Sequence, residues 1–354
     1  MVSYAGLSVA DRVRGTAARS LPRLPAPLKR ALARGVPDEI DSLRLDPDVR
    51  AMLGAARLSG RDKLSDQAIE TERRRFVLET VAIEGPPERV YDVRDLTLPG
   101  PAGPLAARLY APPPVAGGLP LLVHYHGGGH VVGDLDSGEG ACRLFVRHAG
   151  VAVLSVDYRL APEHRFPAGV DDAVAGFRWA AEHARELGVD AARIGVGGDS
   201  AGGNLAAAVC LVARDGDGPA PAFQLLLYPA VDLTRRRPSR DLFADGLQLT
   251  DTDIEWYRRQ YVPDEADLQD PLASPLLAES LEGLPAAHVA TAGFDPLRDE
   301  GEDYARALTA AGVSATLRRH GGLVHGFANY TRVAPAAREA MLETAGALRM
   351  GLRA

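Results

Sequence analysis

The stretch Gly198-Asp199-Ser200-Ala201-Gly202-Gly203 follows a predicted strand at 193–196 and leads into a helical pattern that begins near Gly203. A strand that turns this sharply into a helix holds the residue at the turn in a strained backbone conformation and exposes its side chain. Glycines two residues before and two residues after Ser200 leave room for neighbouring strands and helices to approach. In this setting the pattern predicts Ser200 as a nucleophile.

Short β-rich runs alternate with helical patterns on both sides of this turn, from about residue 90 onward. This alternation is typical of an α/β fold, in which helices cover both faces of a mostly parallel sheet. The sequence predicts eight strands, the first two forming an antiparallel hairpin, at 90–98, 105–110, 119–125, 152–156, 193–196, 223–228, 288–291 and 316–319. Predicted helices flank the sheet, at about 138–149, 168–187, 201–213, 300–311 and 335–350.

Two segments do not fit the alternation and are predicted to fold over the sheet as a helical cap. Residues 36–88 are rich in charged residues and helix formers, and in 234–262 the run Thr250-Asp251-Thr252-Asp253 is typical of a helix start. We therefore expect a basic N-terminal extension at 1–40, a cap at 41–88 to which 234–262 contributes, and a catalytic domain at 89–354.

A run of glycines follows the strand predicted at 119–125, in His126-Gly127-Gly128-Gly129. When a serine attacks a carbonyl, the oxyanion that forms must be stabilised by N–H groups aimed at it, and a loop without side chains can present them. We expect Gly127 and Gly128 to be two of these donors, with the N–H of Ala201 completing the oxyanion hole.

A serine nucleophile needs a base, and the base needs an acid that fixes its tautomer. On a turn of this type the acid and then the base follow the nucleophile along the chain, which leaves His288, His320 and His325 as candidates. His288 lies in an apolar strand and His320 at a strand end, where packed or solvated histidines are common. His325 lies in a glycine-flanked loop after the last strand, and we expect it to be the base.

For the acid we expect Asp295, which closely follows the strand predicted at 288–291 and so lies at its carboxyl end, where ligands gather in parallel sheets. Asp299 and Glu300 are the alternatives. Both would begin the next helix, where acidic residues are favoured by the helix dipole alone.

Composition excludes several other classes of protein. The net charge of −7 arises from 47 acidic and 40 basic residues scattered along the chain, so we expect no nucleic-acid partner. No run approaches the roughly 18 apolar residues of a membrane span. Cys142 and Cys210 lack the spacing of a metal site or a disulfide framework, which favours buried thiols in the reducing cytoplasm and no bound metal.

The first 35 residues contain a local excess of basic residues over one acid, Asp11: Arg12, Arg14, Arg19, Arg23, Lys29, Arg30 and Arg34. Pro22, Pro25 and Pro27 interrupt any helix there, and the apolar core of a secretory signal is missing. Two interpretations stay open: an arm that binds a membrane surface or a partner, and a solvated extension that packs loosely on the body.

With these residues located, the chain resembles the bacterial hormone-sensitive-lipase-like esterases, which carry HGGG upstream and GDSAGG at the nucleophile. The resemblance begins near Leu45, leaves out residues 1–40, and includes the run Asp157-Tyr158-Arg159-Leu160-Ala161-Pro162-Glu163-His164 and His325-Gly326-Phe327. It implies an α/β-hydrolase fold with a helical cap, cofactor-free hydrolysis of short- to medium-chain carboxylic esters, and frequent homodimers. It also implies that Glu163 and Asp199 steady the loops around the nucleophile.

The same triad could serve a lipase, an amidase or a deacetylase of one metabolite, because a fold does not decide among these reactions. A protein of a different class, a non-catalytic small-molecule receptor, also occurs on this scaffold. Such receptors lose a member of the triad, whereas Ser200, Asp295 and His325 are all present here. Substrate choice is expected to depend on the cap, whose aromatic residues are Phe76, Phe243, Trp256, Tyr257 and Tyr261.

Overall fold

A computed structural model of the chain describes residues 4–58 and 68–353. Its centre is an eight-stranded sheet, which confirms the predicted fold class. The strands of this sheet are β3 (Asp92–Gly100), β4 (Gly103–Ala111), β5 (Leu119–Tyr125), β6 (Ala152–Val156), β7 (Val189–Asp199), β8 (Gln224–Leu227), β9 (Ala287–Phe294) and β10 (Ala315–Val324). Their order across the sheet is β10-β9-β8-β7-β5-β6-β4-β3.

All neighbouring strands from β10 to β6 pair in parallel, while β3 and β4 form the predicted antiparallel hairpin and β4 pairs antiparallel with β6. Every residue of β6, β8 and β9 is buried, because helices cover both faces of the sheet. The parallel arrangement brings the carboxyl ends of β5, β7, β9 and β10 to one edge, and each predicted catalytic residue lies just beyond one of these ends.

The helices on the two faces form separate cores. One face packs against α6 (Ala168–Glu182), α8 (Ala201–Asp215) and α11 (Arg298–Ala310). The other packs against α5 (Glu139–Ala149) and α12 (Pro335–Gly351). The helix predicted at 168–187 is divided, because His183 leaves the helical conformation before a short helix, α7 (Ala184–Leu187).

The N-terminal residues pack more closely than a loose extension would. Helices α1 (Val9–Ser20) and α2 (Ala26–Leu32) precede a two-stranded hairpin, β1 (Glu39–Ile40) and β2 (Leu43–Arg44). Leu7 and Leu21 are buried, and the Arg19 guanidinium donates to the carbonyl of Ala82. The prolines interrupt the helices as expected: α1 ends before Pro22, and Pro27 lies in the first turn of α2.

The described residues of the two segments predicted to form the cap include the helices α3 (Pro47–Leu58), α4 (Ile69–Glu84), α9 (Pro238–Leu242) and α10 (Asp251–Tyr261). The predicted helix start at Thr250 is confirmed, because its side chain accepts from the N–H of Asp253 in a reciprocal capping box. The division of the chain into an extension, a cap and a catalytic domain stays a prediction. Across the described ranges, no helix has the length and apolar character needed to cross a membrane.

Candidate active site

Ser200 lies at the junction of β7 and α8 with φ 55° and ψ −116°, a conformation that L-residues rarely adopt. Its N–H donates to the carbonyl of Leu227 at 2.9 Å, which fixes the turn. A Cβ added to either Gly198 or Gly202 would overlap the carbonyl of Tyr125. The close approach of β5 therefore requires glycine at both positions, as the sequence predicted.

His325 and Asp295 complete a hydrogen-bonded chain with Ser200. His325 Nε2 lies 2.9 Å from Ser200 Oγ, and His325 Nδ1 lies 2.8 Å from Asp295 Oδ2. Asp295 is fully buried, and its other oxygen accepts from the N–H of Leu297 at 2.8 Å. A carboxylate held in this way favours the tautomer with its proton on Nδ1, so that Nε2 can accept the proton of the serine hydroxyl.

The competing histidines lie elsewhere. His288 is at the amino end of β9, opposite the end that Asp295 follows, and its Nδ1 lies 2.8 Å from Thr316 Oγ1. Burial lowers the pKa of His288 to about 4. His320 lies within β10 and packs edge-on against Phe327. Neither ring contacts Ser200.

The competing acids have structural contacts in the first turn of α11. Asp299 accepts from the N–H of Ser239 at 2.8 Å. Glu300 accepts from the N–H of Val231 at 2.9 Å, and burial raises the pKa of its carboxyl to about 8. Neither carboxylate contacts His325.

The predicted oxyanion donors need one correction. The N–H of Gly127 donates to Asp199 Oδ1 at 2.9 Å, so it is not free to bind an oxyanion. Within the described part of the chain, the N–H groups of Gly128 and Gly129 have no hydrogen-bond partner. Gly128, Gly129 and Ser200 line one cavity together with Ala201, so Gly129 replaces Gly127 in the candidate set.

The sequence of the glycine run does not identify the free N–H groups, because these depend on the position of the Asp199 carboxylate. Gly129 must be glycine, because its φ is 60° and a Cβ there would overlap the ring of Tyr257. This steric requirement does not single it out, since a Cβ on Gly127 or Gly128 would also overlap neighbouring atoms. The contact between Gly127 and Asp199 also agrees with the expectation that Asp199 steadies the loop.

The cavity above Ser200 has a volume of about 730 Å³, within the usual range for small-molecule sites. Helices α3, α4 and α10 contribute apolar side chains to its wall, among them Leu53, Phe76 and Ile254. Of the aromatic residues predicted for the cap, Tyr257 and Tyr261 also line the cavity. Phe243 and Trp256 do not line the cavity. Phe243 packs against Phe294, and Trp256 packs against Tyr257.

Glu163 lies outside this cavity and pairs with Arg73 of α4 through contacts of 3.0 and 2.6 Å. The hydrogen bond lowers the pKa of the Glu163 carboxyl below its usual value. In the described residues, no cluster of three or more histidine, cysteine or acidic side chains could hold a metal ion. Cys142 and Cys210 are buried free thiols, as predicted.

The chain is similar to known proteins in both sequence and structure. A family model described as alpha/beta hydrolase fold matches residues 122–329. The chain is 49% identical over 352 residues to carboxylic ester hydrolase LipN of Mycobacterium tuberculosis, covering 96% of this chain and 93% of that protein. It is 38% identical over 320 residues to ethyl acetate hydrolase of Pseudomonas putida, covering 88% of this chain and 100% of that protein.

Among solved structures, a hyperthermophilic esterase from the archaeon Pyrobaculum calidifontis superposes with a TM-score of 0.83 at 40% identity, covering 87% of this chain and 99% of that one. The match to the mycobacterial hydrolase reaches into residues 1–40, because it covers 96% of the chain. The expectation that similarity begins near Leu45 is therefore wrong for that relative.

Proposed function

Because the chain belongs to the α/β-hydrolase family of hormone-sensitive-lipase-like esterases and is a carboxylic ester hydrolase, we propose that it acts through an acyl-enzyme on Ser200. The observation that carries this proposal is the continuous chain of hydrogen bonds from Ser200 through His325 to Asp295. In that arrangement Ser200 is the nucleophile, His325 the general base and Asp295 the acid that orients the imidazole.

In the first half of the reaction, Ser200 Oγ attacks the ester carbonyl while its proton moves to His325 Nε2. The carbonyl oxygen becomes an oxyanion, which the N–H groups of Gly128, Gly129 and Ala201 stabilise. Asp295 stabilises the imidazolium through its contact with Nδ1. The tetrahedral intermediate collapses as His325 returns the proton to the departing alkoxide, and an alcohol leaves.

In the second half, water enters the place of the alcohol. His325 removes one of its protons while the oxygen attacks the acyl carbonyl, and the same three N–H groups hold the second oxyanion. Collapse of this intermediate breaks the bond to Ser200 Oγ, which regains its proton from His325. The products are a carboxylic acid and the free enzyme, and the proposed reaction uses no metal or nucleotide cofactor.

We expect short- to medium-chain esters to be preferred. The cavity is lined by bulky side chains from the helices above the sheet, including Phe76 and Tyr257, and its volume is about 730 Å³. A space of this size also admits a drug-sized molecule, so the preference for short esters rests on the family resemblance and on the similarity to ethyl acetate hydrolase. The lipase, amidase and metabolite-deacetylase alternatives use the same triad, and no contact in the cavity favours any of them.

The test is the initial rate on p-nitrophenyl esters from acetate to palmitate, for the wild type and for Ser200→Ala, with a fluorophosphonate to label the nucleophile. We expect turnover that peaks at short chains, labelling of Ser200, and loss of both in the variant. Near-wild-type turnover by Ser200→Ala would overturn the assignment. Absent turnover and absent labelling in the wild type would instead favour the receptor interpretation.

Three further features remain proposals. A cytoplasmic location is supported by two free, buried thiols, which are typical of reducing compartments. A homodimer and the absence of a nucleic-acid partner rest on the family resemblance and on the scattered charge. Light scattering on the purified protein tests for the homodimer, and a DNA-binding assay at low salt tests for a nucleic-acid partner.

A further inference from the structure

Arg73 of α4 uses all three guanidinium nitrogens to bind two loops beside the site. Its Nε donates to the carbonyl of Val131 at 2.8 Å, and its Nη2 donates to the carbonyl of Ala161 at 2.8 Å. Its Nη1 and Nη2 also pair with the carboxylate of Glu163. The Arg73 side chain is 25% exposed and its bonds to the two carbonyls are partly buried, whereas the Glu163 side chain is 47% exposed. The two carbonyl bonds are charge-assisted and therefore strong.

The two carbonyls belong to the segment that carries the oxyanion donors and to its neighbour. The N–H groups of Val131 and Val132 both donate to the carbonyl of Gly128 at 3.0 Å, which closes a turn around Gly129. The N–H of Ala161 donates to the carbonyl of His130 at 2.9 Å. Arg73 therefore binds the turn directly through Val131 and indirectly through Ala161.

The other end of this turn is held by the nucleophile elbow, because Gly127 donates to Asp199. The segment with the free N–H groups of Gly128 and Gly129 is thus fixed at one end by β7 and at the other by α4. These two attachments differ in kind: the first is part of the catalytic sheet, whereas the second comes from the cap.

We propose that Arg73 is a positioning residue through which helix α4 sets the direction of the Gly128 and Gly129 N–H groups. This inference rests on the proposed acyl-enzyme reaction. An oxyanion donor acts only when it points, at about 2.7–3.1 Å, to the place where the oxyanion forms. Without the bond at Val131, the peptide planes of the turn can rotate. The N–H groups of Gly128 and Gly129 then no longer point to the oxyanion, while the triad stays intact.

The test compares Arg73→Met with Arg74→Met, a matched change on the same helix at an exposed arginine that has no ion pair with any described residue. For Arg73→Met we expect kcat on p-nitrophenyl butyrate to fall about 10- to 100-fold, part of the loss seen when an oxyanion donor is removed. The KM should change less than about threefold. Arg74→Met should match the wild type.

A boronic acid inhibitor separates positioning from simple loss of structure. It forms a tetrahedral adduct with Ser200 whose oxygen occupies the oxyanion site, so its affinity should fall in Arg73→Met by nearly the same factor as kcat. Rates are referred to active sites titrated with the fluorophosphonate, which removes any unfolded fraction from the comparison.

Glu163→Gln provides a second variant that keeps both carbonyl contacts of Arg73 and removes only the charge pair. We expect its kcat to fall less than that of Arg73→Met. The inference is overturned if boronic acid affinity is unchanged in Arg73→Met, or if kcat per titrated site matches the wild type. Activity in Ser200→Ala would instead overturn the proposed function itself, so the two failures are distinguishable.

Discussion

The carboxylate of Asp199 accepts a hydrogen bond from the N–H of Gly127 at 2.9 Å, which joins the residue before the nucleophile to the first glycine of the oxyanion loop. The two residues are far apart in the sequence and meet because β5 and β7 are neighbours in the sheet. This contact occupies the N–H of Gly127 and leaves those of Gly128 and Gly129 as the candidate donors.

We predict that Asp199→Ala lowers kcat about tenfold or more at nearly constant KM, because the free end of the loop no longer aligns its donors. Asp199→Asn keeps an oxygen that can accept the same hydrogen bond, so it should lose less. Steady-state rates per titrated active site measure both. Wild-type kcat in the alanine variant would show that this contact does not position the loop.

Asp295→Asn should lower kcat by roughly 10³- to 10⁴-fold with little change in KM, since an amide that donates to His325 Nδ1 moves the ring proton to Nε2. Nε2 then cannot accept from the serine hydroxyl. The matched control is Asp299→Asn, whose carboxylate binds the N–H of Ser239 and does not contact the imidazole. Equal losses in the two variants would contradict the assignment of Asp295.

Glu300 should make stability depend on pH in a direction opposite to that of an ordinary paired carboxylate. Burial raises its pKa from 4.5 to about 8, so folding favours the protonated form. Its contribution to the free energy of unfolding is full below about pH 4.5 and is lost as the pH rises towards 8.

Glu300→Gln retains an oxygen that can accept from Val231 and has no charge to bury. We therefore expect the wild type to lose on the order of a few kcal/mol relative to this variant between pH 5 and pH 8. Chemical unfolding at both pH values measures the difference. If the free energy of unfolding changes equally with pH in the wild type and in Glu300→Gln, Glu300 is not protonated in the folded protein.

Two Gly→Ala changes should have opposite effects on stability. A Cβ on Gly15 would overlap the carbonyl of Ala82, where α1 crosses α4, so Gly15→Ala should destabilise the protein by about 1–3 kcal/mol. A Cβ on Gly346 meets open space within α12, so Gly346→Ala should stabilise it by about 0.5–1 kcal/mol. A Gly15→Ala variant as stable as the wild type would contradict the close packing of α1 on α4.

The parts of the fold and site that depend on local sequence were predictable. The strand, turn and helix around Ser200 follow from a short run of small residues and apolar neighbours. Chain order then left three candidate histidines, and position relative to the strand ends favoured Asp295 and His325 over their competitors. The choice of Gly127 was wrong because the free N–H groups are decided by a side chain on another strand. The sequence did not indicate the contacts of Arg73, since an arginine in a charged helix has no local feature that identifies its distant carbonyl partners.

The order of the triad along the chain also has a consequence for folding. His325 follows Ser200 by 125 residues and lies on a loop that depends on the pairing of β10 with β9. Contacts between residues so distant in sequence form late in folding. Under the proposed mechanism, a chain in which β10 has not yet joined the sheet holds Ser200 without its base, so we expect no ester hydrolysis from it.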